Sequence, residues 1–363
     1  LASHIKPSPF RQAAQADQNV CTAWDKVGRH RQATGRPHCT ELAPGTFGEA
    51  RQCRAASSYN SRFFRDARGP DRHRSTSTTD TCRTMNLVIQ SAAPLSDDHL
   101  RLLTALAGGT HAERLDAHAL RVREASPSQR ADIAAYCRTH QLDYAYVPLR
   151  RLADFGLVAM DMDSTLITIE CIDEIADFCG LKAQVAAITE AAMRGEITDF
   201  NESLVRRVGL LAGLDANVLA NVYEQRLRLS PGAQAMLDGA RAAGLRTLLV
   251  SGGFTFFTER LKSRLGLDFT RANTLEIVDG KLTGRVVGEI VNGDVKARTL
   301  LDTCAQLGIE PSRAIALGDG SNDVPMMAAA GWSVAFRAKP LVRERASCAF
   351  DHVGLDGLLR LFD

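Results

Sequence analysis

The 363-residue chain has no run approaching the roughly 18 uninterrupted apolar residues that a membrane span requires, and its N-terminus has no apolar core of the secretory kind. A soluble protein without membrane contact is therefore expected. The nine cysteines lie at irregular spacings without a C-x-x-C pair, which gives neither a zinc ligand set nor a short secreted disulfide framework. A reducing cytoplasm is the expected setting. No large excess of one charge is present either, since the net is +2. That small figure conceals an asymmetry: residues 1–84 carry 14 Lys/Arg against 7 Asp/Glu, leaving 30 against 35 for the rest. An apolar fraction of 45% can fill a sizeable core over two or more domains.

Residues 1–84 are rich in Arg, Ser, Thr, Gln and His, show no sustained 3.6-residue or 2-residue apolar period, and read as disordered. Met85 opens Met85-Asn86-Leu87-Val88-Ile89, the first patterned segment, and is the first methionine. The natural protein is accordingly expected to begin there, with the preceding stretch a misassigned extension. An Arg-rich transit peptide or a nucleic-acid tail are the alternatives. Length and seven acidic residues weigh against a transit peptide, and the tail's four Cys and four His fit no zinc spacing. Residues 85–152 alternate short apolar runs (87–89, 117–122, 144–147) with helical patterns (97–107, 128–140), which predicts a small α+β module.

From about residue 156 strands alternate with helices, the pattern of an α/β doubly wound parallel sheet, over residues 153–363. Strands are predicted at 157–160, 246–250, 314–317 and 333–336. The helical stretch between the first two is far longer than one crossover helix, so an inserted helical cap is expected at about 171–229. Ser230-Pro231 reads as an N-cap followed by a proline at the first helical position. A β-hairpin is predicted around Asp279-Gly280.

Polar loops follow three of these strands. Asp161-Met162-Asp163-Ser164-Thr165 follows the first, and alternation lets Asp161 and Asp163 face one side. Ser251-Gly252-Gly253 follows the second, where a hydroxyl and flexible glycines let backbone N–H groups approach a phosphate oxygen. Gly318-Asp319-Gly320-Ser321-Asn322-Asp323 follows the third and suits a hard cation bound by oxygen. Lys296 lies in a helical segment at 294–307. Each piece alone has an ordinary reading as a turn, a cap or a solvated surface charge. In an open parallel sheet, however, ligands bind beyond the carboxyl ends of the strands, where all three loops converge.

In order and placement these elements resemble the haloacid dehalogenase superfamily: D-x-D-x-T, a Ser or Thr, a Lys and an acidic G-D-G-x-N-D loop, over residues 157–336. Asp161 to Leu166, Glu170-Cys171-Ile172-Asp173-Glu174-Ile175-Ala176 and Ala192-Met193-Arg194-Gly195 look like the phosphoserine phosphatase family. The resemblance implies hydrolysis of phosphoserine, the last step of serine biosynthesis. Asp161 would be the nucleophile and Asp163 the acid and base. Mg2+ would be held by the Asp161 carboxylate, the Asp163 carbonyl and Asp319. Ser251, Gly252 and Lys296 would bind the phosphoryl oxygens, with Asn322 and Asp323 in support. In the cap, Glu170 would meet the substrate ammonium, Arg207 its carboxylate, and Met193 and Phe200 would exclude water. The module at 85–152 resembles the ACT-like amino-acid-binding modules, with packing or dimerisation as the alternative, so a homodimer is one option. The expected partner is small-molecule phosphoserine, with no membrane and no nucleic acid. Two rival readings are a phosphotransferase of the same superfamily and a sensing or nucleic-acid-binding protein in which the tail or the module is the working part.

Overall fold

A computed structural model describes residues 85–109 and 111–363, so the expectations for residues 1–84 lie outside the described residues. The first unit runs β1 (Met85–Ser91), α1 (Asp97–Ala107), β2 (His111–Asp116), β3 (Ala119–Ala125), α2 (Arg130–His140) and β4 (Leu142–Pro148). Its strands form one sheet in the order β2-β3-β1-β4, antiparallel at each pairing. The two-residue period of β1 sends Leu87 and Ile89 into a core with Leu103, Ile133 and Tyr146, and turns Val88 to the opposite face. Strand β2 escapes the sequence period because it is a half-exposed edge with no continuous apolar side. The extended segment expected at 117–122 is β3, displaced because His118 sits in the preceding turn.

The second sheet begins at β5 (Leu157–Met160). Helices α3 (Cys171–Phe178), α4 (Lys182–Met193), α5 (Phe200–Gly209) and α6 (Asn217–Gln225) fill the long insertion, and α7 (Ala233–Ala242) leads into β6 (Arg246–Phe254). Then follow α8 (Thr255–Leu265), β7 (Phe269–Val278), β8 (Lys281–Val287), α9 (Gly293–Leu307) and β9 (Ala314–Gly318). The chain closes with α10 (Val324–Ala329), β10 (Trp332–Phe336), α11 (Pro340–Arg345), β11 (Cys348–Phe350) and α12 (Leu358–Leu361). The strand order is β11-β10-β9-β5-β6-β7-β8, parallel except for the edge strand β8. β5 is buried throughout: Val158 and Met160 join one core cluster, Leu157 and Ala159 the other, as a strand covered on both faces requires. β8 pairs with β7 across the two-residue turn Asp279-Gly280, as expected.

One local expectation is corrected. Ser230-Pro231 does not start α7, which begins at Ala233 after Gly232 at φ 76°. The Ser230 N–H donates to the Leu166 carbonyl and the Pro231 carbonyl accepts from Leu355, so both residues belong to a tertiary turn. A Cβ on Gly232 would stand 2.0 Å from Asp356 Oδ1, so only glycine fits there.

The outer face of the first sheet packs on the second unit. Val88, Ala145 and Val147 share a core cluster with Phe155, Trp332, Phe350 and Phe362. Arg121, buried, donates to the carbonyls of Arg360 and Phe362 and pairs with Asp363. Buried Asp143 accepts the N–H groups of Asp351, His352 and Val353 at 3.0, 2.9 and 2.9 Å. Asp143→Ala strands those three donors and is expected to lower the unfolding free energy by about 2–4 kcal/mol, read as a shifted urea midpoint. Asp143→Asn keeps an acceptor oxygen and should lose less; equal losses would show that the three bonds are not what holds this contact. No helix of the described residues is long and apolar enough to cross a membrane.

Candidate active site

β5 lies between β6 and β9, so the chain leaves the central strand for one side of the sheet and later returns on the other. At such a switch point the loops after adjacent strands diverge and leave a crevice. Asp161 follows β5, Ser251 lies in β6, and Asp319 follows β9. The backbone after Asp161 makes one wide turn, with Leu166 N–H donating to the Asp161 carbonyl and Ile167 N–H to that of Met162. Within it Ser164 takes φ 55°, and the turn carries Asp163 to the same crevice.

Lys296, in the first turn of α9, is fully buried between two carboxylates, 2.6 Å from Asp161 Oδ1 and 2.7 Å from Asp323 Oδ1. Burial works against its charge, but the two carboxylates outweigh it and raise its pKa above the ordinary lysine value. The other oxygen of Asp323 accepts the N–H groups of Asp319 and Gly320, at 3.1 and 3.0 Å, which shapes the acidic loop. Thr165 Oγ1 donates to Asp319 Oδ1 at 3.1 Å, tying the first loop to the third. Carboxylate oxygens of Asp161, Asp319 and Asp323 lie within 4.8 Å of one another. Three carboxylates thus crowd together while one ammonium pairs with only two of them, an excess of negative charge that fits a divalent cation with oxygen ligands. Burial, followed by the charge of Asp323, pushes the Asp319 carboxyl up to about 6, as expected of a group short of a counter-cation. Burial, followed by the charge of Glu170, pushes Asp163 up to about 8, and its Oδ1 is enclosed without a hydrogen-bond partner. A carboxyl that retains its proton near neutrality can act as a general acid.

Between Val250 and Phe254 the ladder with β7 slips, because four steps along β6 oppose two along β7. The slip at Ser251-Gly252-Gly253 frees peptide N–H groups from the sheet. Ser251 Oγ accepts the Gly253 N–H at 2.8 Å. A Cβ on Gly253 would lie 2.7 Å from Met162 Cε and 2.9 Å from Asp163 Oδ2, so the close approach of the two loops requires glycine. Asn273, buried in β7, donates to the Gly252 carbonyl at 2.7 Å and accepts the Val291 N–H at 2.8 Å. Sequence reasoning passed over Asn273; an amide inside an otherwise strand-forming run was its only signal.

The insertion supplies the far wall of a cavity of about 640 Å³ that brings together Asp161, Asp163, Ser251, Gly252, Asp319 and Asn322 with Glu170, Phe200 and Arg207. Glu170 is exposed and accepts from Ser164 Oγ at 2.7 Å. Arg207 is half-buried, whereas its neighbour Arg206 turns outward to Glu202 at 2.5 Å. Met193 closes α4, and its side chain is not among the described ones. Asp173 and Lys339 also line the cavity, although the sequence reading gave neither a role. A second cavity, of about 830 Å³, is lined by residues of α2, β4, α11 and β11. The Asp143 carboxylate in its wall is committed to three backbone N–H groups.

Residues 158–328 match the family described as haloacid dehalogenase-like hydrolase, and residues 87–133 match a domain of unknown function. A phosphoserine phosphatase of Polaromonas sp. strain JS666 is 59% identical over 218 residues, covering 59% of this chain and 92% of that protein. The crystal structure of a haloacid dehalogenase family hydrolase from Salmonella enterica serovar Typhi superposes with a TM-score of 0.71 at 35% identity, over 77% of this chain and 99% of that one. A phospho-aspartyl intermediate analogue of a phosphoserine phosphatase superposes with a TM-score of 0.54 at 36% identity, over 58% of this chain and 99% of that one.

Proposed function

This chain belongs to the haloacid dehalogenase-like hydrolase family, among its phosphoserine phosphatases, and from that premise we propose that it hydrolyses O-phospho-L-serine to L-serine and phosphate through an aspartyl-phosphate. The observation that carries the reading is Lys296, buried between Asp161 and Asp323 at the switch point of the sheet. Asp161 attacks phosphorus while Asp163 gives its proton to the departing serine oxygen. Asp163 then takes a proton from the water that attacks the acyl phosphate, so one carboxyl serves both half-reactions. Ser251, the Gly252 N–H and Lys296 receive the phosphoryl oxygens, and Asn322 and Asp323 steady that arrangement. Mg2+, with Asp161, the Asp163 carbonyl and Asp319 as its ligands, would supply charge neutralisation when bound. Glu170 receives the substrate ammonium, Arg207 its carboxylate, and Phe200 and Met193 shield the site. Such an activity suits the last step of serine biosynthesis in a cytoplasm. We take 85–152 as a packing module with ACT-like pattern, and 153–363 as the phosphatase domain capped at about 171–229. The docking of Asp143 and Arg121 supports that division of labour.

Phosphate release from phosphoserine, phosphoethanolamine and phosphoglycolate, with magnesium and with chelator, tests the reading. Phosphoethanolamine lacks the carboxylate and phosphoglycolate the ammonium. Each missing charged partner is worth about 1.5–3 kcal/mol, or roughly 2–5 where a buried charge is stranded, so each analogue should lose about ten- to several-thousandfold in kcat/KM. Arg207→Ala should impair phosphoserine sharply and phosphoethanolamine much less; Glu170→Gln should spare phosphoglycolate. Equal cleavage of all three substrates, or a uniform loss in both variants, would defeat the substrate assignment and leave the chemistry at Asp161 standing.

A further inference from the structure

Asp173 lies in the first turn of α3 and Arg207 in the last turn of α5, and both line the cavity that holds Asp161. Asp173 Oδ1 is buried with no hydrogen-bond partner. Arg207, a fork of five donors, makes one side-chain hydrogen bond among the described residues, from Nε to the Ser203 carbonyl at 3.3 Å. Burial lowers the Arg207 pKa, and among the charges that offset it Asp173 comes first, ahead of Glu170 and Asp163. Burial raises the Asp173 carboxyl, and Arg207 is likewise the first charge to oppose that. An under-satisfied carboxylate and an under-satisfied guanidinium of opposite charge thus face one cavity without forming an ion pair in this structure.

Resting on the reading of Arg207 as the receptor of the substrate carboxylate, we infer that Asp173 is a positioning residue: it aims the Arg207 guanidinium at that carboxylate and sets the enzyme's demand for an α-carboxylate. Arg207 hangs on a long stem with about 2 kcal/mol of rotamer entropy, whereas Asp173 is short and fixed to the start of a helix. Its negative charge repels the substrate carboxylate, so it acts through Arg207 rather than by contact with that group. Glu170 already accepts from Ser164, whereas the enclosed Asp173 oxygen has no partner of its own, which leaves Asp173 free for a different task from Glu170.

The test is steady-state kinetics of Asp173→Asn, Arg207→Ala and the double variant on phosphoserine and phosphoethanolamine, with Arg206→Ala as the outward-facing control. Asp173→Asn should raise KM for phosphoserine about tenfold with kcat within about threefold, and should change KM for phosphoethanolamine less than about twofold. The double variant should be no worse than Arg207→Ala alone, because a residue acting through Arg207 has nothing left to position. Arg206→Ala should match the parent enzyme. Independent, additive losses overturn the inference, as does an equal KM rise for phosphoethanolamine, which would make Asp173 a receptor for the ammonium. If Arg207→Ala itself leaves the preference between the two substrates unchanged, the assignment of Arg207 fails first and this inference falls with it.

Discussion

Asp161→Asn is expected to lower turnover of phosphoserine by about four to six orders of magnitude while the protein stays folded. An amide is a poor nucleophile, and the substitution removes one of the three carboxylates that face each other across the crevice. Lys296 retains Asp323 at 2.7 Å, so the buried ammonium keeps a counter-ion and the unfolding temperature should change little. Rapid acid quench of the parent enzyme with phosphoserine, followed by peptide mass spectrometry, should place a hydroxylamine-labile phosphoryl group on the peptide containing Asp161. The same group on any other residue, or a variant that retains more than about a hundredth of parental turnover, would remove Asp161 from the role of nucleophile.

Lys296→Met should fail differently, with a loss of both stability and turnover. The methionine fills similar space but leaves Asp161 and Asp323 buried side by side without the ammonium that sits 2.6 and 2.7 Å from them. Removing one partner of a buried ion pair costs about 3–5 kcal/mol, which corresponds to a fall of roughly 6–20 °C in unfolding temperature for a domain of this size. Turnover should drop about a hundred- to a thousandfold or more, since a preorganised donor to the phosphoryl oxygens disappears. A melting temperature within 2 °C of the parent, about the effect of half a kcal/mol, would mean that Lys296 is not the counter-ion of a buried acidic cluster. The contrast between the two variants separates chemistry from architecture: Asp161 is expected to matter for turnover alone, Lys296 for both.

The alternation of strands and helices after residue 156, the loops that carry Asp161, Ser251 and Asp319, and the hairpin at Asp279-Gly280 were all legible in the chain. Each is a local pattern: a short apolar run, then a polar or glycine-rich break, in a segment where backbone sterics and the two-residue period dominate. The length of the helical insertion also announced itself, because a single crossover helix cannot consume so many residues. Strand β2 and the start of α7 were not legible. The first is an edge whose side chains need bury no continuous face, and the second is displaced by Gly232 packing against Asp356, more than a hundred residues away.

The sequence by itself determined which residues are available for chemistry and at which strand ends they emerge, since those follow from composition, order and local period. Only the tertiary structure decided which of them meet. By local pattern alone Lys296 is an ordinary helical lysine and Arg206 and Arg207 are equivalent; beyond the resemblance, it is the packing of α9 that sets Lys296 between Asp161 and Asp323, and that of α5 that sets Arg206 against Glu202 and Arg207 into the cavity. In the sequence Asp173 stands out only as part of a motif and Asn273 only as an amide in a strand-forming run, and neither takes a role from that. Their significance lies in an enclosed, unpartnered oxygen and in an amide that bridges two loops, and both depend on neighbours far away in the chain. Burial and charge pairing depend on distances through space, and a side chain's period along its own segment contains no information about them.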